Sequence, residues 1–545
     1  MIVNEDEYIM SSKTKKVKKQ FNILDLFDEN RKGVTMQSIL LYIYLFLMLG
    51  VYPIITTDQY FNITVTRYYF FMYTTIIYTA LSLVVFIAEE FLNARYKNTS
   101  INVDEGKKFY ARPEFWMEAF MMANVFAYMV SIDKDMSRMG FKDGLGGRYM
   151  GMFTYIILTV VFLVIASGKK INKSIIYVPF VSALYAFIIA IFQHMGNDFM
   201  GYRDNIRKDL YDIYISTFGN INIFASFLTM CIPAFACVYI FSNNKIYKAL
   251  SAIILTVGGM TLMVANSDSG FLGVVIAYLL IFLFSINDKK VKPFFDTIVM
   301  MFCGVFAQVL INRYYLDYNN KRGGISEALD NMPLMIGIGV LLGLICFAIR
   351  YVSKKYKDRL EQLNRRKVIC NILVGVGICL VLFIVIGNIM DLSIFNFNYK
   401  WGNYRGMIWQ ICGDIFEKAP STHKIFGYGN ETVQILTRAN YYDIMMENTN
   451  RVYDNAHNEV LQYLITTGIV GAVSYVGLFV SSFVYILKNS SKNIFAYITL
   501  SIITGYFVQG LVNVNQPITT PFFFIFMALG VGYVRYIKKQ EAYSE

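Results

Sequence analysis

The residues that could do chemistry in this chain gather in one polar interval, residues 391–459, which carries two of the three histidines and two of the three tryptophans. The interval ends at Asp454-Asn455-Ala456-His457-Asn458, where an apolar helix is expected to start without a break. With Asp454 as N-cap, His457 takes the third helical position. The positive end of the helix dipole disfavours imidazolium there, so the ring stays neutral near pH 7 and can take a proton from a hydroxyl. The alternative is a histidine that only completes the helix start or meets lipid headgroups. Upstream, Asn403 to Glu417 fits an amphipathic helix with Arg405, Trp409 and Cys412 near one face. A guanidinium offers a rigid fork for phosphate oxygens. The alternative for Arg405 is snorkelling to lipid phosphates. Pro420 and Ser421 end that helix, Gly427-Tyr428-Gly429 makes a tight turn, and a second helix is expected from Glu431 to Met446.

Other chemistries lack their residues. The chain has no GxxxxGK[ST], no GxGxxG after a strand, no HExxH and no GxSxG. The three histidines, at 194, 423 and 457, have no ligand spacing, so no metal site is expected. All cysteines but Cys412 fall in expected membrane spans and none forms a CxxC pair, which argues against a disulfide framework or a zinc site.

The elements that must hold these residues are membrane helices. Of the 545 residues, 56% are hydrophobic and 16% charged. Apolar runs long enough to cross a hydrocarbon core recur throughout. The expectation is an all-α polytopic integral membrane protein of about 12–14 transmembrane helices with a large external loop between late spans. The expected spans are 36–56, 68–93, 113–132, 149–168, 174–194, 221–241, 246–265, 269–287, 293–312, 332–351, 368–390, 460–486, 494–513 and 518–536. The first apolar run follows a long basic tail and suits a retained span rather than a cleaved signal. Most of the 50 Lys and Arg fall in connectors on one side, which puts both termini in the cytosol and accounts for the net charge of +12 without nucleic acid. The organisation is then a cytosolic basic tail (1–35), transmembrane helices (36–390), an external loop (391–459) and C-terminal transmembrane helices (460–545). Asn220 or Asn222 is expected to cap the helix from 221, and Ser267 or Asp268 the helix from 269. Glu114 is expected to pair with Arg112 at the cytosolic rim. An enzyme working outside, where nucleotides are scarce, needs a donor activated beforehand, such as a lipid diphosphate.

Three segments resemble the O-antigen ligase/polymerase family of bacterial membrane glycosyltransferases. Asn455-Ala456-His457-Asn458 with Leu461 and Gly468-Ile469-Val470-Gly471 is similar to its AHNxxL…GxxG segment. Arg405, Trp409, Pro420 and Gly427-Tyr428-Gly429 resemble its R…W…P…GxG segment, and Phe218-Gly219-Asn220-Ile221-Asn222 with Ala225 its FGNxN segment. The resemblance implies many transmembrane helices with an external loop packed over a lipid-substrate cavity. It implies glycan transfer from undecaprenyl diphosphate to an acceptor glycan without a metal or other cofactor, with His457 as base and Arg405 as diphosphate ligand. Asn455 and Asn458 would orient His457 or the acceptor, Trp409 and Tyr428 would stack on sugar or brace the loop, and Asn220 would line the substrate site. Many relatives carry S-R-G where this chain has Ser267-Asp268-Ser269-Gly270. Arg203, Arg207, Arg313 or Arg322 would then supply the second positive charge. Membrane lipids, and other membrane proteins of polysaccharide assembly, are the expected partners. The Lys-, Asn-, Ile- and Tyr-rich composition suits AT-rich Gram-positive genomes, whose cells lack a lipid A core, and so favours a polymerase over a ligase. A glycolipid transporter or flippase would need polar groups through the depth of the bundle, where these spans are apolar.

Overall fold

The computed structural model describes residues 35–96, 108–142, 147–315, 323–356, 365–390, 397–489 and 493–542. Among these the chain is all-helical, with no strand. In chain order the helices are α1 (Met36–Phe46), α2 (Ile63–Tyr96), α3 (Pro113–Met129), α4 (Lys134–Met139), α5 (Met152–Ala166), α6 (Tyr177–His194), α7 (Ile221–Phe241), α8 (Lys245–Ala265), α9 (Asp268–Asn287), α10 (Val291–Tyr315), α11 (Gly324–Leu329), α12 (Met332–Lys355), α13 (Arg365–Ile389), α14 (Trp401–Lys418), α15 (Ser421–Phe426), α16 (Val433–Thr449), α17 (Glu459–Thr466), α18 (Gly468–Lys488), α19 (Ile494–Gly510) and α20 (Thr520–Ala542). Among the described residues nine helices are long and apolar enough to cross a membrane: α2, α6 with the turn before it, α7 to α10, α12, α18 and α20. Three shorter apolar helices are α1 with its π-helical extension to Val51, α5 and α19. The two other expected spans, 113–132 and 368–390, correspond to α3 and α13.

Asparagine starts many of these helices. Asn220, Asn244, Asn331, Asn458 and Asn493 each accept a hydrogen bond from a first-turn N–H of α7, α8, α12, α17 and α19, satisfying donors that no helix can satisfy internally. Ser267 occupies the N-cap position of α9, yet its side chain makes no capping bond and turns instead to Asn222.

The centre of the bundle is α7, the most enclosed of the nine, packed on α8, α9 and α19. Lipid gives no hydrophobic drive between helices, so close approach at small residues holds them. Pro233 has no N–H for the Thr229 carbonyl, and Gly505 of α19 packs directly on that carbonyl. Gly259 and Gly304 do the same between α8 and α10, where a Cβ on either would strike the facing backbone.

The connectors separate to opposite ends. At one end Arg535 pairs with Glu114 and also donates to the Ala166 carbonyl, Tyr247 reaches the Lys173 carbonyl, and Arg365 the Asn287 carbonyl. Glu114 therefore pairs across the bundle rather than with its neighbour Arg112, because α20 brings a guanidinium alongside the start of α3. The loop of α14–α17 occupies the other end. The expected continuous helix over 460–486 is two helices. The chain breaks at Thr467–Gly468, where Gly468 adopts φ +69° and Phe426 and Ile425 leave no room for a side chain.

Candidate active site at the loop-bearing end

The loop carries a small core of its own. Met407, Ile408, Ile411, Cys412 and Ile415 of α14 pack with Val433 and Met445 of α16 and with Ala456 and Ile465. Three left-handed residues, Gly402, Asn403 and Tyr404, precede the regular part of α14, so that part begins at Arg405. Tyr441 of α16 donates to Asp414 of α14. The Gly427-Tyr428-Gly429 turn hooks onto the end of α17. The Tyr428 N–H donates to the Ile465 carbonyl at 3.0 Å and the Gly429 N–H to that of Thr466 at 2.9 Å, using last-turn carbonyls that lack helical partners. Gly427 and Gly429 have φ +76° and +104°, a conformation glycine adopts at no steric cost. A Cβ on Gly427 would strike the Thr466 carbonyl.

His457 stands just outside the next helix. Asn458, not Asp454, is the N-cap of α17, and its side chain accepts from the Leu461 N–H at 3.0 Å. The expected third helical position is therefore wrong. His457 is left-handed, φ 48°, an uncommon state for a residue with a side chain. Its surroundings hold it there. The His457 N–H donates to Asn455 Oδ1 at 2.8 Å, the Ala456 N–H donates to Gln462 Oε1 at 2.9 Å, and Trp409 Nε1 donates to the Ala456 carbonyl at 3.0 Å. The ring packs in a T-shape with Tyr453, 5.6 Å between centroids. Its Nδ1 is buried and has no hydrogen-bond partner among the described residues. Burial and the nearby Arg405, and more weakly Arg148, hold the imidazole well below its ordinary value, against the pull of Asp454.

Arg405 donates from Nε to the Val512 carbonyl and from Nη1 to that of Gly402, each at 2.9 Å. These bonds fix the stem of the fork and leave its Nη2 edge. Burial weakens the guanidinium's hold on its proton, against the Tyr453 hydroxyl and the Asp268 carboxylate. Next along the chain, Asn513 Nδ2 donates to the Asn222 carbonyl at 3.1 Å, and Asn222 Oδ1 accepts from Ser267 at 2.9 Å. All three resembling segments thus meet at this end. Where many relatives are expected to have arginine, Asp268 binds the Ile325 N–H at 2.8 Å and faces Arg405 electrostatically.

The other expected residues are placed as follows. Asn455 bridges Asp454 and the His457 backbone, Asn458 caps α17, Trp409 pins Ala456, and Tyr428 stacks on His423 at 4.2 Å. Asn220 spends its side-chain oxygen on the cap of α7. Arg203 is buried with its guanidinium on the Gln193 and Tyr214 carbonyls. Arg207 is exposed and paired with Asp209. Arg313 lies exposed in the last turn of α10. Arg322 lies outside the described residues.

Two arginines escaped the sequence reading. Arg148 is buried and pairs with Glu431 at 2.7 Å and Asp454 at 2.8 Å, partners 283 and 306 residues away in the chain. Arg67 is buried beneath the Phe218 ring, 4.7 Å from its centroid, and donates to the carbonyls of Pro53, Ile55 and Thr217. Both lie in stretches with no local motif, and only the fold supplies their partners. Glu459 was also missed: it is buried at the start of α17 and accepts from Tyr475 at 2.5 Å and Tyr506 at 2.7 Å, which ties this helix to α18 and α19. Among the described residues no group of three or more His, Cys, Asp or Glu could hold a metal ion.

Residues 334–476 match the family model described as O-antigen ligase. The matched region contains Arg405, Trp409, the Gly427–Gly429 turn and Asn455–Asn458. No curated protein matches the chain.

Proposed function

From the premise that this match supports the O-antigen ligase/polymerase family, we propose that the protein is a glycan polymerase of the bacterial cytoplasmic membrane. Its donor is a glycan repeat on undecaprenyl diphosphate, and its loop faces outward. The chain is an integral membrane protein of the O-antigen ligase/polymerase type, and the finer reading rests on the site. The observation that carries it is a buried His457 Nδ1 with no partner among the described residues, beside a guanidinium whose Nη2 edge is left by its bonds to two carbonyls.

His457 takes the proton from an acceptor hydroxyl as its oxygen attacks the anomeric carbon of the donor. The anomeric C–O bond to the diphosphate breaks, and the diphosphate leaves with the bonding pair. Arg405 meets the charge that grows on it. A single displacement inverts the anomeric centre. The imidazole and the guanidinium cover proton and leaving group between them, so the proposed reaction is metal-independent. EDTA treatment followed by removal of divalent ions should leave turnover intact, whereas loss with recovery on Mg²⁺ or Mn²⁺ would contradict this.

A ligase that moves a finished glycan to a lipid or protein acceptor is the second reading, favoured by the description of the matched family model. Deletion of the gene separates the two. Loss of a polymerase leaves single repeats on the lipid and no long chains. Long chains that persist on the lipid with a bare acceptor would replace the polymerase reading with the ligase.

A further inference from the structure

The base proposed above needs a fixed backbone and an imidazole not already bound to an acid. Two acids lie close along the chain: Glu459, two residues on, is bound by the Tyr475 and Tyr506 hydroxyls, which leaves Asp454, three residues before, as the acid that could pair with the ring. It does not. Asp454 Oδ2 accepts from Arg148 Nη1 at 2.8 Å and Oδ1 accepts from Asn455 Nδ2 at 2.7 Å, so each oxygen is held by a partner other than the ring. Arg148 Nη2 also donates to the Asp454 carbonyl at 3.0 Å. Asn455 passes the constraint on, because its Oδ1 accepts the His457 N–H. On its far edge Arg148 Nε donates to Glu431, itself buried and left-handed at φ 62°, just after the Gly427–Gly429 turn. One buried guanidinium therefore joins the two stretches of loop that bracket the site.

We propose that Arg148 is a positioning residue: it locks the Asp454–Asn458 turn and keeps the Asp454 carboxylate off the His457 ring. The proposal rests on the reading of His457 as base but is tested apart from it. The charged and titratable groups facing the ring are Arg405 from α14, Arg148 from the segment before α5, and Asp454 and Tyr453 from its own segment. Glu431 acts only through Arg148. Burial would raise the Asp454 carboxyl, yet Arg148, with smaller help from His457 and a backbone hydrogen bond, holds it below the usual carboxylate range. Asp454 is thus an anion restrained from its neighbour. Without Arg148 that anion is free to bind the imidazolium.

The test uses the full chain in nanodiscs with ring-labelled histidine. The chain has three histidines, and His194→Gln and His423→Gln assign the His457 resonance. In the unmodified protein the ring should titrate below the ordinary histidine range. In Arg148→Gln the midpoint should rise by about one pH unit or more, the scale of a newly adjacent opposite charge. Adding Asp454→Asn should bring it back down. Loss of the Arg148 charge by itself raises the midpoint a little, so the rise caused by Arg148→Gln is compared with Asp454 in place and in an Asp454→Asn background. It should be much larger with Asp454 in place, and an unmoved midpoint or an equal rise in both backgrounds overturns the proposal. If Arg148→Gln does not fold, Arg148→Lys decides. It keeps the positive charge but loses the fork that holds Glu431, the Asp454 carboxylate and the Asp454 carbonyl together, so the midpoint should rise although no charge has been removed. An unmoved or lowered midpoint there overturns the proposal. Turnover with a lipid-linked repeat is measured separately. Absent turnover of the unmodified protein, with the midpoint shifted in the Arg148 variant, would end the base reading and leave the positioning role standing.

Discussion

A histidine that serves as a base must stay neutral while it waits for its proton. Two influences at His457 work in that direction, enclosure and two guanidiniums, and one carboxylate works against them. The sign follows directly. A lowered value means that more acid is needed to protonate the ring. Turnover should therefore persist as pH falls through the ordinary histidine range near about 6.5, and the acid limb of the pH–rate profile should lie below it. An acid limb at or above that range would contradict the assignment. His457→Ala should cost roughly 10²-fold or more in turnover, with expression and thermal unfolding close to those of the parent. Near-normal glycan output from a matched amount of this variant would return His457 to a structural role. For Arg405 the discriminating change is to lysine. Lysine keeps the charge but loses the planar fork and cannot hold the Val512 and Gly402 carbonyls while reaching a diphosphate. Turnover should fall at least about tenfold, and an unaffected Arg405→Lys protein would make this arginine a lipid-facing residue.

At the scale of elements, the site depends on a break in a helix. α17 is only eight residues long, and three devices fix it: the Asn458 cap at its start, Glu459 bound to two tyrosine hydroxyls, and the glycine turn on its last carbonyls. Its other end turns at Gly468, where a left-handed backbone meets the Ile425 carbonyl at closest packing. The GxG turn and the GxxG segment are thus one joint, and each glycine makes room for the other strand of chain. Gly468→Ala adds both a strained φ and a backbone collision. It should destabilise the protein by more than about 1 kcal/mol and lower turnover, because α17 carries the turn that presents His457. Thermal unfolding in detergent together with turnover measures this. An alanine variant with parental values of both would show that the joint tolerates a side chain.

At the scale of the molecule, the proposed chemistry requires the loop to face away from nucleotide pools. The helices separate their connectors into two ends, one rich in lysine and arginine and one holding the loop. If the basic end is cytosolic, an impermeant thiol reagent should label Tyr442→Cys in intact cells and Asn243→Cys only after lysis, in a background without the seven native cysteines. Both positions are exposed. The reverse pattern would put the loop in the cytosol and end the lipid-donor argument.

The sequence by itself determined the class of molecule, because a membrane span is a local property: apolar length times 1.5 Å per residue either crosses the hydrocarbon or does not. It narrowed the cap of α7 to Asn220 or Asn222, since an asparagine before an apolar run has its acceptor within reach of the first turn, and the structure uses Asn220. It also showed the order of the three resembling segments and the basic bias of one set of connectors. It misplaced the start of α17 for a reason visible only in three dimensions. Asp454 and Asn455 are as good caps by type as Asn458, but the Asp454 carboxylate is bound to Arg148 and the Asn455 oxygen holds the His457 N–H, so the cap falls to Asn458. The same limit hid Arg148 itself, whose partners stand 283 and 306 residues further on. It also left open the second positive charge, since Arg203 was a candidate by type but lies folded onto the Gln193 and Tyr214 carbonyls. A buried ion cluster is assembled from distant stretches. Its members become recognisable only when tertiary packing removes water from them and makes each charge find the other.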